Sequence, residues 1–259
     1  MTSVPNESKE REPRGHFSKL LKVEGKLALR EPIGLVVGIA VPVVLLVVFG
    51  LIGIASPGNV ANTGYTVLDL YVPVIMVFAF IYLGVYILPV TLVKYREMGW
   101  LRRVSTTPES PSRLLGAQLS VNLVLALAAT LIVIFGSEFI FGAPLDVNIP
   151  YFVLSIFLSI AVIFSLGLVV AALVRSQTVA TPVSGLLTFL LLFLSGLWVP
   201  PATIGGPLAT VMYYSPSGAA VRVLLNSAFN ATPPLTTMVT MIVYALIFSY
   251  TAIRYFRWE

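Results

Sequence analysis

The side chains able to act as acids, bases, nucleophiles or metal ligands are few in this chain and poorly placed for catalysis. There is no cysteine, so neither a thiolate nucleophile, a Cys-based metal site nor a disulfide is available. The single histidine, His16, sits in a polar N-terminal stretch where a solvated side chain is expected. No Ser–His–Asp arrangement can be assembled around it, and no His/Glu metal constellation occurs. No G-x-x-x-x-G-K-[ST] sequence is present, so ATP is not bound by a phosphate-cradling loop of that kind. Asn230-Ala-Thr232 fits a glycosylation acceptor, but the tripeptide is common by chance and carries no weight here. What remains suits recognition rather than bond-making. Phe78, Tyr82 and Tyr86 recur every four residues, on one face of a helix. A packing or lipid-facing surface is the slightly preferred reading of the same stripe. Gln118 and Asn122 stand one turn apart, and Arg222 is a lone charge in an otherwise apolar segment.

Six apolar stretches must position these residues. Hydrophobic residues make up 58% of the chain and charged ones 10%, against about 45–50% and about 25% in soluble domains. The stretches are Ile33–Ala55, Leu70–Val93, Leu114 to about Phe135, Ile149–Val174, Thr178–Val199 and Thr236–Ile253. Each is on the order of 20 residues, enough for a helix rising about 1.5 Å per residue to cross a ~30 Å hydrocarbon core. The expected fold class is therefore an all-α integral membrane protein with six transmembrane helices. The first stretch follows about 30 polar residues without a small-residue cleavage site, which reads as a retained span.

Charge sets the orientation. Of sixteen Lys and Arg residues, seven lie in residues 1–31, five in 94–113, one at Arg175 and two at Arg254 and Arg257. All four segments fall on one side of a six-span chain, and the positive-inside bias makes that side cytoplasmic, with both termini on it. Only Arg222 breaks the pattern. The net charge of +5 is thus topological, and nucleic acid is not an expected partner. The central part of every span lacks Asp, Glu, Lys, Arg and His. Proton- and ion-coupled carriers usually place relays there, which disfavours the alternative of a stand-alone channel or secondary carrier. A membrane-embedded enzyme is disfavoured by the lack of clustered catalytic side chains.

The segments between spans carry further expectations. Residues 1–15 read as a disordered tail, and residues 16–31 as a basic amphipathic helix lying in the interface, with Glu24 interrupting its apolar stripe. Residues 32–259 form the six-span domain. Gly34-x-x-x-Gly38 allows close approach of another helix, and Pro89 is expected to kink the second span. The loop at 94–113 holds a short helix, Arg96–Val104, with Trp100, Leu101 and Val104 as apolar contacts; Ser110 then caps the third span, with Pro111 at its first position. Residues 200–235 are too apolar for a solvated loop. Two short helices, Pro207–Tyr214 and Pro216–Phe229, the second capped by Ser215, read as an outer re-entrant or interfacial hairpin before the last span. Arg222 in that hairpin either faces an anionic group in transit or snorkels to the outer headgroups, the latter being preferred.

Tyr95-Arg96-Glu97-Met98-Gly99-Trp100-Leu101-Arg102-Arg103, followed by Thr106-Thr107-Pro108, resembles the E-x-G…T-P stretch of ABC-2 family exporter permeases. Val174-Arg175-Ser176-Gln177 leading into Leu194-Ser195-Gly196-Leu197-Trp198-Val199-Pro200 resembles that family's R-s…L-S-G-x-x-x-P signature, and Tyr214-Ser215-Pro216 stands where it often has N-P or L-P. In order and spacing the resemblance covers nearly the whole chain.

The resemblance implies a half-transporter permease in a bacterial plasma membrane, paired with a second permease copy as a homodimer and with two copies of a separate ATP-binding subunit. ATP and Mg would sit on that partner, leaving this chain without a cofactor or an ATPase site. It further implies that the loop after span two is a coupling helix docking on the ATPase. That role maps onto Glu97, Gly99, Trp100, Leu101, Arg102 and Arg103, with help from the N-terminal helix. Met98 and Trp100 depart from the charged or small residues usual there, which makes the expected docking surface more apolar. Spans one, two and five would wall a path between two permease copies. Phe78, Tyr82 and Tyr86, with Thr188 and Phe189, are the candidate path residues, for a hydrophobic or amphipathic solute such as a drug, antibiotic or lipid-linked molecule.

Overall fold

The computed structural model describes residues 21–22, 24–27, 34, 36–56, 58, 66–99, 111–143 and 145–255. Six helices among them are long and apolar enough to cross a membrane, and no strand occurs among the described residues. They are α1 (Val36–Ala55), α2 (Val67–Glu97), α3 (Pro111–Phe141), α4 (Ile149–Leu173), α5 (Gln177–Leu194) and, last in the chain, α9 (Leu235–Tyr255). Between α5 and α9 lie three short helices, α6 (Pro201–Ile204), α7 (Gly206–Tyr214) and α8 (Pro216–Ala228). An apolar sequence of this length favours the helix because every backbone N–H finds its acceptor within the segment. The ends carry their own signals. Thr66 and Asp69 form a reciprocal capping box at the start of α2, with Thr66 N–H to Asp69 Oδ2 at 2.9 Å and Asp69 N–H to Thr66 Oγ1 at 3.3 Å. The Ser215 hydroxyl accepts from Gly218 N–H at 3.0 Å to start α8, as the sequence suggests.

Successive long helices run in opposite directions, so the molecule has two ends. The end of α2, the end of α4 and the start of α5 share one, termed the clasp end. The start of α2, the end of α5 and the short helices share the other, the hairpin end. The central post is α2, whose residues from Tyr71 to Ile81 are all buried. It packs against α1, α3, α4, α5 and α8, while α9 lies along α4. Close packing rests on small residues. A Cβ built on Gly167 would fall on the Gly84 carbonyl oxygen, so the backbones of α4 and α2 touch where they cross. Gly38 packs tightly on Leu83 of α2, where a Cβ would press on the leucine side chain, whereas Gly34 leaves ordinary contact distance to Ile87.

Two of the proline-bearing helices widen instead of simply kinking. Residues Val36–Ala40 in α1 and Tyr82–Ile87 in α2 form wide turns, and in the second of these Leu88 N–H reaches back five residues to the Leu83 carbonyl. Each wide turn ends two residues before a proline, Pro42 and Pro89. The proline ring clashes with the carbonyl four residues earlier, Gly38 and Val85 here, and widening the turn at those residues relieves the clash.

At the hairpin end, α8 is tucked into the bundle, with Gly218, Ala219, Ala220, Val223 and Leu224 buried. A Cβ on Gly218 would meet the Met212 carbonyl oxygen of α7, so only glycine allows so tight a hairpin. Polar bonds fix α8 on α4: Asn148 N–H to the Ser227 carbonyl at 3.0 Å, and Ser227 Oγ 3.3 Å from Ser155 Oγ. The fifth span ends at Leu194 rather than at Val199. Gly196, at φ 86°, turns the chain out of the helix.

Candidate functional site

Three consecutive residues at the end of α2 reach three different elements. Arg96 donates from Nη1 to the Val174 carbonyl (3.1 Å) and from Nη2 to the Ala171 carbonyl (3.0 Å), at the C-terminus of α4. Glu97 Oε1 accepts the Gln177 N–H at 3.0 Å, at the N-terminus of α5. A cation thus meets the negative end of one helix dipole and a carboxylate the positive end of the next. The short turn between α4 and α5 is held from both sides. The Tyr95 hydroxyl donates to Glu24 Oε2 at 3.1 Å, and Gln118 Nε2 of α3 donates to the same carboxylate. Asn122 Nδ2 in turn donates to the Gln118 carbonyl at 2.9 Å. Glu24, only 1% exposed, is turned into the protein. That explains the break it makes in the apolar stripe of the N-terminal segment.

Of the residues expected to couple to an ATPase, Glu97 is exposed at the end of α2 and engaged with α5, and Gly99 lies just beyond it. Gly99, at φ 64°, donates its N–H to the Arg96 carbonyl at 3.0 Å and closes α2. Arg96 and Glu97 therefore belong to the last turn of α2, and the helix expected over Arg96–Val104 does not begin at Arg96. Trp100, Leu101, Arg102 and Arg103 lie outside the described residues, as do the Ser110 cap and the tail at 1–15. Of residues 16–31, only 21–22 and 24–27 are described, and these are helical.

The aromatic stripe is continuous. Phe78 and Tyr82 stack with ring centroids 6.5 Å apart, and Tyr82 and Tyr86 at 5.2 Å. Phe78 is buried, while Tyr82 and Tyr86 are half-buried. Tyr86 lies against α5 at Gly185. Thr188, one turn on, is buried, and its hydroxyl has no partner among the described residues; the same holds for Ser184. Phe189 departs from this grouping. It is 58% exposed on the outer side of α5, where its ring meets that of Trp198 at 5.3 Å. The structure thus brings Tyr82, Tyr86 and α5 together and turns Phe189 outward.

At the hairpin end, Leu70, Tyr71, Val74, Tyr213, Val221 and Leu225 are among the residues lining a cavity of about 70 Å³, and Arg222 lines it too. The Arg222 guanidinium lies over two aromatic rings, 5.1 Å from the centroid of Tyr213 and 5.9 Å from that of Tyr214.

Sequence reading alone missed Glu24, Tyr95 and Arg96 as positioning residues, and Ser184 beside Thr188. The Ser184-x-x-x-Thr188 spacing was a usable signal for the last. The contacts of Glu24 and Arg96 join residues some 70 or more positions apart and leave no local trace. The family model described as ABC-2 type transporter matches residues 16–229. No curated protein matches the chain.

Proposed function

This chain belongs to the ABC-2 type transporter family, whose domain is the membrane-spanning permease component, and on that premise we propose that it serves an exporter driven by ATP bound and hydrolysed on a separate subunit. The exporter comprises two permease copies of this kind and two ATPase subunits, which hold the ATP and Mg. It lies in a bacterial plasma membrane with both permease termini cytoplasmic, and moves a hydrophobic or amphipathic solute outward. The observation that supports this most directly is the clasp at the end of α2. The end of α2, from which the next loop leaves, is anchored through Arg96 and Glu97 to both α4 and α5. A push delivered to that loop from outside the bundle is thereby passed to three spans at once. Charge-free span centres disfavour ion coupling as a competing energy source.

In this reading Trp100 supplies the main apolar contact with the ATPase, since an aromatic group desolvated by a partner contributes more than rim charges such as Arg102 and Arg103. Trp100→Ala weakens co-purification of the ATPase and uncouples hydrolysis from transport, while the permease still inserts and folds. Normal assembly with solute-stimulated hydrolysis in that variant overturns the coupling role. Transport that persists after ATP depletion returns the reading to a secondary carrier.

A further inference from the structure

We propose that the hairpin end binds an anionic phospholipid, with the phosphate on Arg222 and only the part of its apolar portion next to the headgroup entering the cavity beside α2 and α8. Arg222 is the one basic residue outside the four cationic segments of the chain, and it is held half-buried. It makes no ion pair among the described residues; what faces its guanidinium is the Tyr213 and Tyr214 rings. Aromatic faces orient and partly stabilise a cation but leave its forked N–H donors available, and that fork matches the oxygens of a phosphate. Asp69, the carboxylate nearest in sequence to the cavity lining, is already engaged by the Thr66 N–H in the cap of α2. Beside the cation lie the apolar walls, Leu70, Tyr71, Val74, Val221 and Leu225. A cation without a protein counter-ion next to an apolar cavity is complementary to a ligand that is anionic at one end and apolar at the other. In a chain of six apolar spans, the molecule of that description nearest to hand is an anionic lipid of the outer leaflet. Tyr82, Tyr86, Ser184 and Thr188 are not among the residues lining the cavity, so the proposal stands independently of what the permease carries.

The test uses the full chain, purified in detergent and stripped of lipid, with native mass spectrometry counting bound dioctanoyl phosphatidylglycerol or dioctanoyl phosphatidylcholine. The wild-type chain binds the anionic lipid roughly tenfold more tightly, as loss of a charged hydrogen bond implies, and added salt narrows that gap. Arg222→Gln weakens phosphatidylglycerol most and phosphatidylcholine less, since choline offsets the charge of the phosphate the two lipids share, and so removes the preference. Leu225→Trp fills the cavity and weakens binding of both lipids. Equal wild-type affinity for the two lipids overturns the proposal, and that comparison stands even if a variant fails to fold. So does displacement of phosphatidylglycerol by an equal concentration of inorganic phosphate, which would reduce the site to a bare anion contact. Undiminished preference in Arg222→Gln overturns it as well.

Discussion

Tyr82 and Tyr86 are the residues on which a transport path would first show itself. They are half-buried, stacked on one another, and adjacent to a stretch of α5 that carries two hydroxyls without partners among the described residues, Ser184 and Thr188. A buried hydroxyl that forgoes its hydrogen bond costs about 1–3 kcal/mol, so such groups call for a reason, and a passing solute supplies one. Tyr82→Ala is expected to change resistance to several hydrophobic drugs unequally, with assembly and basal ATP hydrolysis retained. Phe189→Ala, by contrast, removes an exposed ring. If Phe189 serves the path, it does so at a contact between permease copies, and its variant shows drug-dependent changes too. Uniform loss for all compounds in either variant, in step with lower protein abundance, marks that residue as structural. The four-residue spacing makes the stripe legible in the sequence itself. The outward turn of Phe189 is not legible there. Neighbouring positions 188 and 189 differ by about 100° around a helix of about 3.6 residues per turn, and apolar composition does not say which of them faces protein.

Among the elements, the end of α2 carries the most information. Arg96→Ala removes two charge-assisted bonds to the C-terminus of α4, a loss of about 1.5–3 kcal/mol each at most. The expected result is a lower Tm together with faster amide hydrogen exchange at residues 174–178, the turn that Arg96 and Glu97 hold. Exchange there that matches wild type removes the clasp from the account. Arg96→Lys restores less than the full effect, since a single ammonium does not reproduce the forked geometry. The spans themselves were legible because hydropathy and length decide them. Their limits were less so. The third helix continues to Phe141 past the apolar window, since a helix does not have to stop where the hydrocarbon does. The fifth stops at Leu194 although apolar residues continue, because the left-handed backbone at Gly196 redirects the chain. The wide turns before Pro42 and Pro89 were foreseeable as proline effects, but whether a helix answers a proline by bending or by widening depends on what packs against it.

For the whole molecule, the charge distribution and the helix order make a single prediction about sidedness. In this cysteine-free background, cysteines placed at Asn59, Asp146 and Asn230 are expected to react with a membrane-impermeant thiol reagent added outside intact cells, and cysteines at Ser105 and Gln177 are not. External labelling at Ser105 reverses the orientation and with it the placing of the clasp on the cytoplasmic side. The architecture also has a consequence for how the chain tolerates change over generations. Where α2 and α4 cross, Gly167 has the Gly84 carbonyl against it and no room for even one carbon more. Alanine, the mildest replacement elsewhere, is a steric overflow at that point, whereas Leu186, Leu235 and Ile253, at 73%, 75% and 80% exposure, accept almost any apolar residue. A saturation library selected for intact expression would therefore be emptied at position 167 by shape alone and at those three exposed positions only by charge.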